Sequence, residues 1–294
     1  MDELDAPPAR KRIRSRHIRN VAGVAPVRLT KRDIELLAAL LDYRLLTTTQ
    51  VQKLFFRSLH RTRKRLFKLW QHGIVDRVFR PVALGDAPSE AIYSLARKGA
   101  RLLTRQDGLT ERAHPDARRS ARVSPLFLDH TLAVNDFRIA LKTSCDRNDS
   151  ARLLFWRQGN EIRFEQVIVD QRFGASPVRV PVVADGLAGV ETVGKKIFFF
   201  VEVDLGTVSH NRWRKRFAAY RRASLDVGLL RRLGVLKFGV LVITVGEKRM
   251  RNLERLAEPF QLLNGSEIMF SFTSVEYAME KVAEVMDRHN QACC

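Results

Sequence analysis

Apolar residues recur at helical spacing from residue 30 onward, and they predict three consecutive helices. Thr30 with Asp33 has the pattern of a capping box at the start of the first helix. Residues 47–49 give a second start signal, and Gly73 predicts the end of the third helix. The buried stripe of the first helix comprises Ile34, Leu36, Leu37, Leu40 and Leu41.

After Gly73 the pattern changes to the alternation of β-strands. Residues 74–79 and 91–95 predict two strands, and the segment 85–88 predicts a turn between them. A short helix follows over 97–103. Three helices, a hairpin and a further helix are the order of a winged helix-turn-helix.

The second half of the chain alternates strands with helices. Strands are predicted at 153–156, 178–183, 196–203, 234–245 and 268–272, with helices at 125–145, 209–223, 247–260 and 273–289. This pattern indicates an α/β layer with a mixed central sheet, and the chain as a whole is α+β or α/β. We therefore predict a flexible basic arm over 1–26, a winged-helix domain over 27–105, a linker over 106–124 and an α/β domain over 125–294.

Charge narrows the class of partner. The chain has 294 residues and a formal net charge of +20, which favours nucleic acid or an anionic membrane surface. No apolar run approaches the roughly 20 residues of a membrane span, and no signal peptide is evident. The three cysteines, Cys145, Cys293 and Cys294, have no metal-ligand spacing, which fits a reduced cytoplasm.

The third helix carries the clearest functional signal. Residues 57–70 hold six Arg or Lys and no acid, and the apolar positions fall on one face. Such a helix fits the DNA major groove, where arginine reads guanine. The alternatives are a solvated basic face and a protein-docking module. We expect base contacts from His60, Arg61 and Lys64, phosphate contacts from Arg57, Arg65 and Lys68, a DNA contact from Arg63, and wing contacts from Arg77 and Arg80.

Carboxylates in the second half form another candidate site. Glu202 and Asp204 share one face of a strand, and a hairpin would bring Asp185 beside them. Such a cluster suits Mg²⁺, although a structural ion pair of Glu202 with Lys215 or Arg214 would equally satisfy its charge. The following helix is rich in cations, and we expect Arg212, Arg214 and Arg216 to contact the DNA backbone.

An aspartate followed by Glu-x-Lys on the next strand is the pattern of PD-(D/E)xK nucleases, which this half resembles. The resemblance implies a restriction-endonuclease-like domain in which Asp185 and Glu202 hold Mg²⁺ or Mn²⁺, with Asp204 as a further ligand. Asp204 stands where that family usually has lysine, and Lys215 is the nearest substitute as the third catalytic residue.

Longer motifs resemble the replication-relaxation family of bacterial plasmids and mobile elements. They are LTKRDIELLAALLDYRLLTTTQVQKL, LFKLWQHGIVDR, YSLARKGARLL, HTLAVNDF and VEVDLGT, followed by Lys215 and Tyr220. The resemblance implies a DNA-binding role in plasmid replication, relaxation or mobilisation.

Three hypotheses follow from the sequence. The favoured one is a double-stranded DNA-binding protein whose nuclease-like domain is inactive. The second is a Mg²⁺-dependent nuclease or nickase, and the third is a docking adaptor for plasmid replication or mobilisation proteins. A homodimer is compatible with all three, although the sequence shows no dimer seam.

Overall fold

A computed structural model divides the chain into two units, Met1–Val123 and Ser124–Cys294. It describes residues 19, 26–80, 89–107, 124–169, 173–174, 176–192, 195–261, 270–274, 277, 278, 280 and 282. Most of the predicted arm and linker, the turn at 85–88 and most of the last predicted helix lie outside these residues. Arg19, from the predicted arm, donates to Asp76 at 3.0 Å.

The described residues of the first unit form four helices and three short strands. In chain order these are α1 (Lys31–Tyr43), β1 (Leu46–Thr47), α2 (Thr48–Phe55), α3 (Leu59–Gln71), β2 (Val75–Phe79), β3 (Ala91–Leu95) and α4 (Arg97–Asp107). The strands form an antiparallel sheet in the order β1-β3-β2. The sequence did not predict β1, because two residues are too few to show a period.

Helix starts in this unit follow the predicted capping chemistry. Thr30 and Asp33 form a complete capping box at α1, and Thr47 forms one with Gln50 at α2. Gly73 adopts a positive φ of 68° just beyond α3. These local signals place α1, α2 and α3 so that Leu36, Leu37, Leu40, Leu66 and Leu69 are buried together in the core.

The second unit is a mixed α+β fold, which confirms the coarse fold class. It contains α5 (Pro125–Arg147), β4 (Ala151–Arg157), β5 (Phe164–Ile168), β6 (Val178–Val182), β7 (Gly186–Thr192), β8 (Lys195–Asp204), α6 (His210–Ser224), α7 (Val227–Leu233), β9 (Gly239–Thr244), α8 (Glu247–Ala257) and β10 (Phe270–Ser274). Short 3-10 turns occupy Gly159–Glu161 and Glu258–Phe260.

A mixed five-stranded sheet in the order β10-β9-β8-β7-β4 organises this unit. Strands β4, β7 and β8 are antiparallel, whereas β8, β9 and β10 run parallel. One apolar core on the sheet includes Phe200 and residues of α6, and another includes Val201 and residues of α5. Strand β8 therefore has packed side chains on both faces, as its nearly continuous apolar run predicts.

One strand of this sheet was not predicted. The predicted strand over 178–183 is β6, which pairs with β5 in a separate two-stranded sheet. The position between β8 and β4 belongs to β7, which the sequence pattern did not reveal. The glycines of β7 weaken the sequence pattern that is typical of a strand. They also allow close packing, because a Cβ on Gly186 would lie 2.2 Å from the Trp156 ring.

The sequence pattern did not predict α7 and β5 either.

Among the described residues, no helix is long and apolar enough to cross a membrane.

Candidate functional site

Helix α3 has one buried face and one exposed basic face. Thr62, Leu66, Leu69 and Trp70 are buried. The exposed cations are Arg57, His60, Arg61, Arg63 and Lys64, while Lys68 is half-buried. Residues predicted to approach DNA therefore lie together on one side of the helix, as the apolar spacing required.

Arg65 departs from that basic face. Its Nε donates to Asp33 Oδ1 at 2.7 Å, and its Nη2 donates to Asp33 Oδ2 and to the Arg28 carbonyl. Burial raises the pKa of Asp33, but hydrogen bonds from Arg65 and Thr30 outweigh it and leave the pKa below its usual value. We expected Arg65 to contact a phosphate. In the structure it instead holds α3 against α1, because the buried Asp33 carboxylate needs a cation.

Arg77 is likewise engaged within the first unit. Its guanidinium lies 3.6 Å from the centroid of the Trp70 ring, and the rings of Phe67 and Phe79 are within 5.4 Å. This cation–π stack accounts for the position of Arg77 without a DNA contact. Arg80, at the end of β2, is exposed.

Asp185 and Glu202 are brought side by side, as predicted. Gly186 pairs with Val201 across β7 and β8, so the residues next to them are neighbours. Asp185 Oδ2 accepts a hydrogen bond from the Val203 amide at 2.8 Å and lies 3.2 Å from His130 Nε2. The hairpin that does this uses β7, and not the predicted strand over 178–183.

His130 joins this cluster from α5. Its Nε2 also lies 3.0 Å from the Val203 carbonyl oxygen. The hydrogen bond with Asp185 raises the pKa of His130, and burial opposes that effect without cancelling it. The sequence motif that contains His130 marked this residue, but only the β7–β8 pairing gives it a partner.

Glu202 is satisfied inside the protein by two side chains of α6. Arg216 Nη1 donates to one carboxylate oxygen at 2.8 Å, and the Tyr220 hydroxyl donates to the other at 2.6 Å. Burial raises the pKa of Glu202 to about 7, although the nearby Arg216 charge opposes the shift. Of the two alternatives for Glu202, the structure thus forms an ion pair, and the cation is Arg216 instead of Lys215 or Arg214.

Arg216, predicted to contact the DNA backbone, is thus engaged with Glu202 inside the unit. It lies on the inner side of α6 because Trp213, Phe217 and Tyr220 define the buried face of that helix. Arg212 and Arg214 are exposed, and Lys215 is half-buried. Arg216 and Tyr220 are four residues apart, a spacing that could have placed both on one face of the helix in advance.

Asp204 forms hydrogen bonds with residues other than those that bind Glu202. Its Oδ2 accepts from Arg249 Nε at 2.7 Å and from the Thr244 hydroxyl at 3.2 Å. Asp185, Glu202 and Asp204 are thus each held by separate groups. In the described ranges no three His, Cys, Asp or Glu side chains converge as metal ligands. This donor set does not fit the Mg²⁺ or Mn²⁺ site expected at Asp185, Glu202 and Asp204.

Comparison with family models identifies the chain. A model described as Replication-relaxation matches residues 37–229, which is more than half of the protein. The chain belongs to the replication-relaxation family. Comparison with curated proteins gave no match, and comparison with solved structures gave none either.

The part matched to the replication-relaxation family contains both candidate surfaces. It runs from α1 to α7 and includes the exposed face of α3. It also includes His130, Asp185, Glu202 and the two α6 side chains that hold Glu202. Asp33 and Arg249 lie outside the matched residues. The ion pairs Arg65–Asp33 and Arg249–Asp204 therefore each have one partner beyond the family match.

Proposed function

We propose that this protein binds double-stranded DNA through α3 and acts in plasmid replication or mobilisation in the cytoplasm. The observation that carries the proposal is the exposed basic face of α3, on which cations cluster without an acid. Membership of the replication-relaxation family supports the same assignment. A net charge of +20 adds sequence-independent attraction to the phosphate backbone.

The first unit has the parts of a winged helix-turn-helix. Its three helices precede the β2–β3 hairpin, and β1 closes the small sheet. We assign α3 as the recognition helix and the hairpin as the wing. The buried pair of Arg65 with Asp33 fixes the helix, which leaves its opposite face free to enter the major groove.

Different cations on α3 have different roles in this proposal. His60, Arg61 and Lys64 lie near the N-terminal end and are assigned to base edges. Arg57, Arg63, Lys68 and Arg80 are assigned to phosphates. Arg65 and Arg77 become positioning residues, because their contacts are with Asp33 and Trp70.

The second unit is assigned as a nuclease-like scaffold that does not cleave DNA. The order of α5, β4, β7, β8, α6 and β9 supports this assignment, because it is similar to the helix and strand order expected of PD-(D/E)xK nucleases. Asp185 immediately precedes β7, and Glu202 lies in β8. An internal guanidinium balances the charge of Glu202. The exposed cations Arg212 and Arg214 remain available for the DNA backbone.

A gel-shift titration with the double variant Arg61→Ala/Lys64→Ala tests the DNA-binding role. We expect binding to weaken by roughly thirtyfold or more, because each of the two base-contacting cations contributes about 1–3 kcal/mol. The matched control is Arg97→Ala/Lys98→Ala, which removes the same charge from exposed positions on α4. Unchanged binding in the α3 variant, or little affinity of the wild type at physiological salt, would favour the docking adaptor instead.

Incubation with supercoiled plasmid tests the non-cleaving role of the second unit. We expect intact plasmid with Mg²⁺, with Mn²⁺ and with EDTA alike. Metal-dependent nicking that disappears in Glu202→Gln would overturn this part of the proposal and establish a nuclease. Nicking that persists in that variant would come from a contaminant.

A further inference from the structure

A groove of about 660 Å³ lies in the first unit between α3 and the β2–β3 hairpin. A space of this size is large enough for a small ligand. Its lining combines cations, aromatic rings and a carboxylate. Six of the lining residues carry the argument: His60, Arg63, Lys64, Phe67, Phe79 and Glu90.

The cationic side of the groove is the basic face of α3. His60, Arg63 and Lys64 are all exposed. Phe67 follows at the spacing that continues this face, three residues after Lys64 and seven after His60. The Phe67 ring therefore lies on the same face of α3 as the basic residues that are assigned to DNA.

The Phe67 side chain is exposed to 44%. One of its neighbours is Trp70, at 5.7 Å between ring centroids, and another is the Arg77 guanidinium at 5.4 Å. Both belong to the same unit and hold the side chain in place. The ring therefore offers a supported apolar surface to whatever enters the groove.

A carboxylate also lines the groove. Glu90 Oε1 accepts hydrogen bonds from the Thr49 amide at 2.6 Å and the Thr49 hydroxyl at 2.7 Å. These contacts fix its position at the start of α2. A carboxylate repels phosphate but accepts hydrogen bonds from the amino groups of bases.

We propose that the groove binds one unpaired nucleotide of DNA, with its base stacked on Phe67, its phosphate held by Arg63, and its base edge directed to Glu90. The inference rests on the proposed function, because it uses the same face of α3. It deepens that function by naming the form of DNA that the protein prefers. A base inside an intact duplex cannot occupy the groove, because its two faces and its pairing edge are already covered.

The consequence is a preference for duplexes that carry an unpaired nucleotide. Stacking of a base on an aromatic side chain is expected to tighten binding by roughly tenfold. A duplex with a single extrahelical cytidine and the same duplex without it provide the comparison. Fluorescence anisotropy titrations of the full-length protein at fixed salt measure both affinities.

Phe67→Leu is the informative variant, since it keeps an apolar side chain and removes the stacking surface. Phe127→Leu is the matched control, because Phe127 is exposed to 42% on α5. We expect the advantage of the bulged duplex to fall below about twofold in Phe67→Leu and to persist in Phe127→Leu. Circular dichroism at matched concentration checks that both variants are folded.

Each other outcome has a definite meaning. Equal affinity of the wild type for both duplexes overturns the nucleotide site while duplex binding stands. An advantage that survives Phe67→Leu also overturns it, because the unpaired nucleotide would then bind elsewhere. Failure to bind either duplex overturns the proposed function itself, and this inference with it.

Discussion

Arg216 Nη1 lies 2.8 Å from Glu202 Oε2, and the carboxylate end of this ion pair is only 2% exposed. Glu202 lies near the C-terminal end of β8, a strand that is buried on both faces, so its charge requires a partner. The partner comes from α6, whose buried face also contributes Tyr220. The contact links the central sheet to the helix that carries the second cluster of cations.

Removal of this partner is expected to destabilise the second unit. Arg216→Met should lower the free energy of unfolding by about 3 kcal/mol at pH 8, because it leaves a buried carboxylate without a cation. Lys215→Met removes the same charge from a half-buried position and should change it by less than about 0.5 kcal/mol. Urea unfolding followed by tryptophan fluorescence measures both. Equal losses would show that the pair has no special role.

The stability of the second unit should fall as pH rises from about 4.5 to above 7. Burial raises the pKa of Glu202 from 4.5 to about 7, so the folded state binds a proton that the unfolded chain releases in this window. The raised pKa of His130 acts in the same direction: its contribution is complete below 6.5 and is lost as pH rises through the folded pKa. Urea midpoints at pH 5 and pH 8 measure the change. In Glu202→Gln the difference between these midpoints should shrink, and an unchanged difference would contradict the assignment to Glu202.

Arg65 and Arg61 should separate stability from DNA binding. Arg65→Met is expected to cost about 3 kcal/mol of stability, since Asp33 is 2% exposed and loses its cation. Arg61→Met should leave stability nearly unchanged and weaken DNA binding.

The effect of Arg65→Met should depend on pH, because the pKa of Asp33 is lowered in the folded state. The contribution of Asp33 to stability is present above its unfolded pKa of 3.8 and is lost as pH falls through the folded pKa. Thermal unfolding at pH 7 and pH 3 should therefore show a smaller difference between Arg65→Met and wild type at pH 3.

Gly186→Ala should destabilise the sheet by about 1–3 kcal/mol, because the added methyl group would overlap the Trp156 ring. Gly228→Ala provides the control. Gly228 lies in α7, where the nearest atom to a new Cβ is an Asp226 oxygen at 3.4 Å. Alanine is preferred to glycine in a helix by about 1 kcal/mol, so this variant should be neutral or more stable. Thermal midpoints compare the two, and similar losses would argue against the tight packing of β7 on Trp156.

Local chemistry was enough to predict much of the first unit. Capping residues, apolar spacing and Gly73 located α1, α2 and α3, because these signals act over only a few residues. In the second unit, α5, β8 and α6 were predicted for the same reason. Strand β7 was not, since its sequence reflects the Trp156 ring that packs on it from another strand.

The candidate sites, like the fold, were predicted only in part from the sequence. The sequence by itself determined the basic face of α3, because the helix period fixes which residues share a face. It suggested that Asp185 lies near Glu202, but the pairing that brings them together uses β7, which the sequence pattern did not predict. Only the tertiary structure decided what those residues touch. It directed Arg65 to Asp33, Arg216 to Glu202 and Arg249 to Asp204, because a buried carboxylate takes the nearest cation that packing supplies, whatever its distance along the chain.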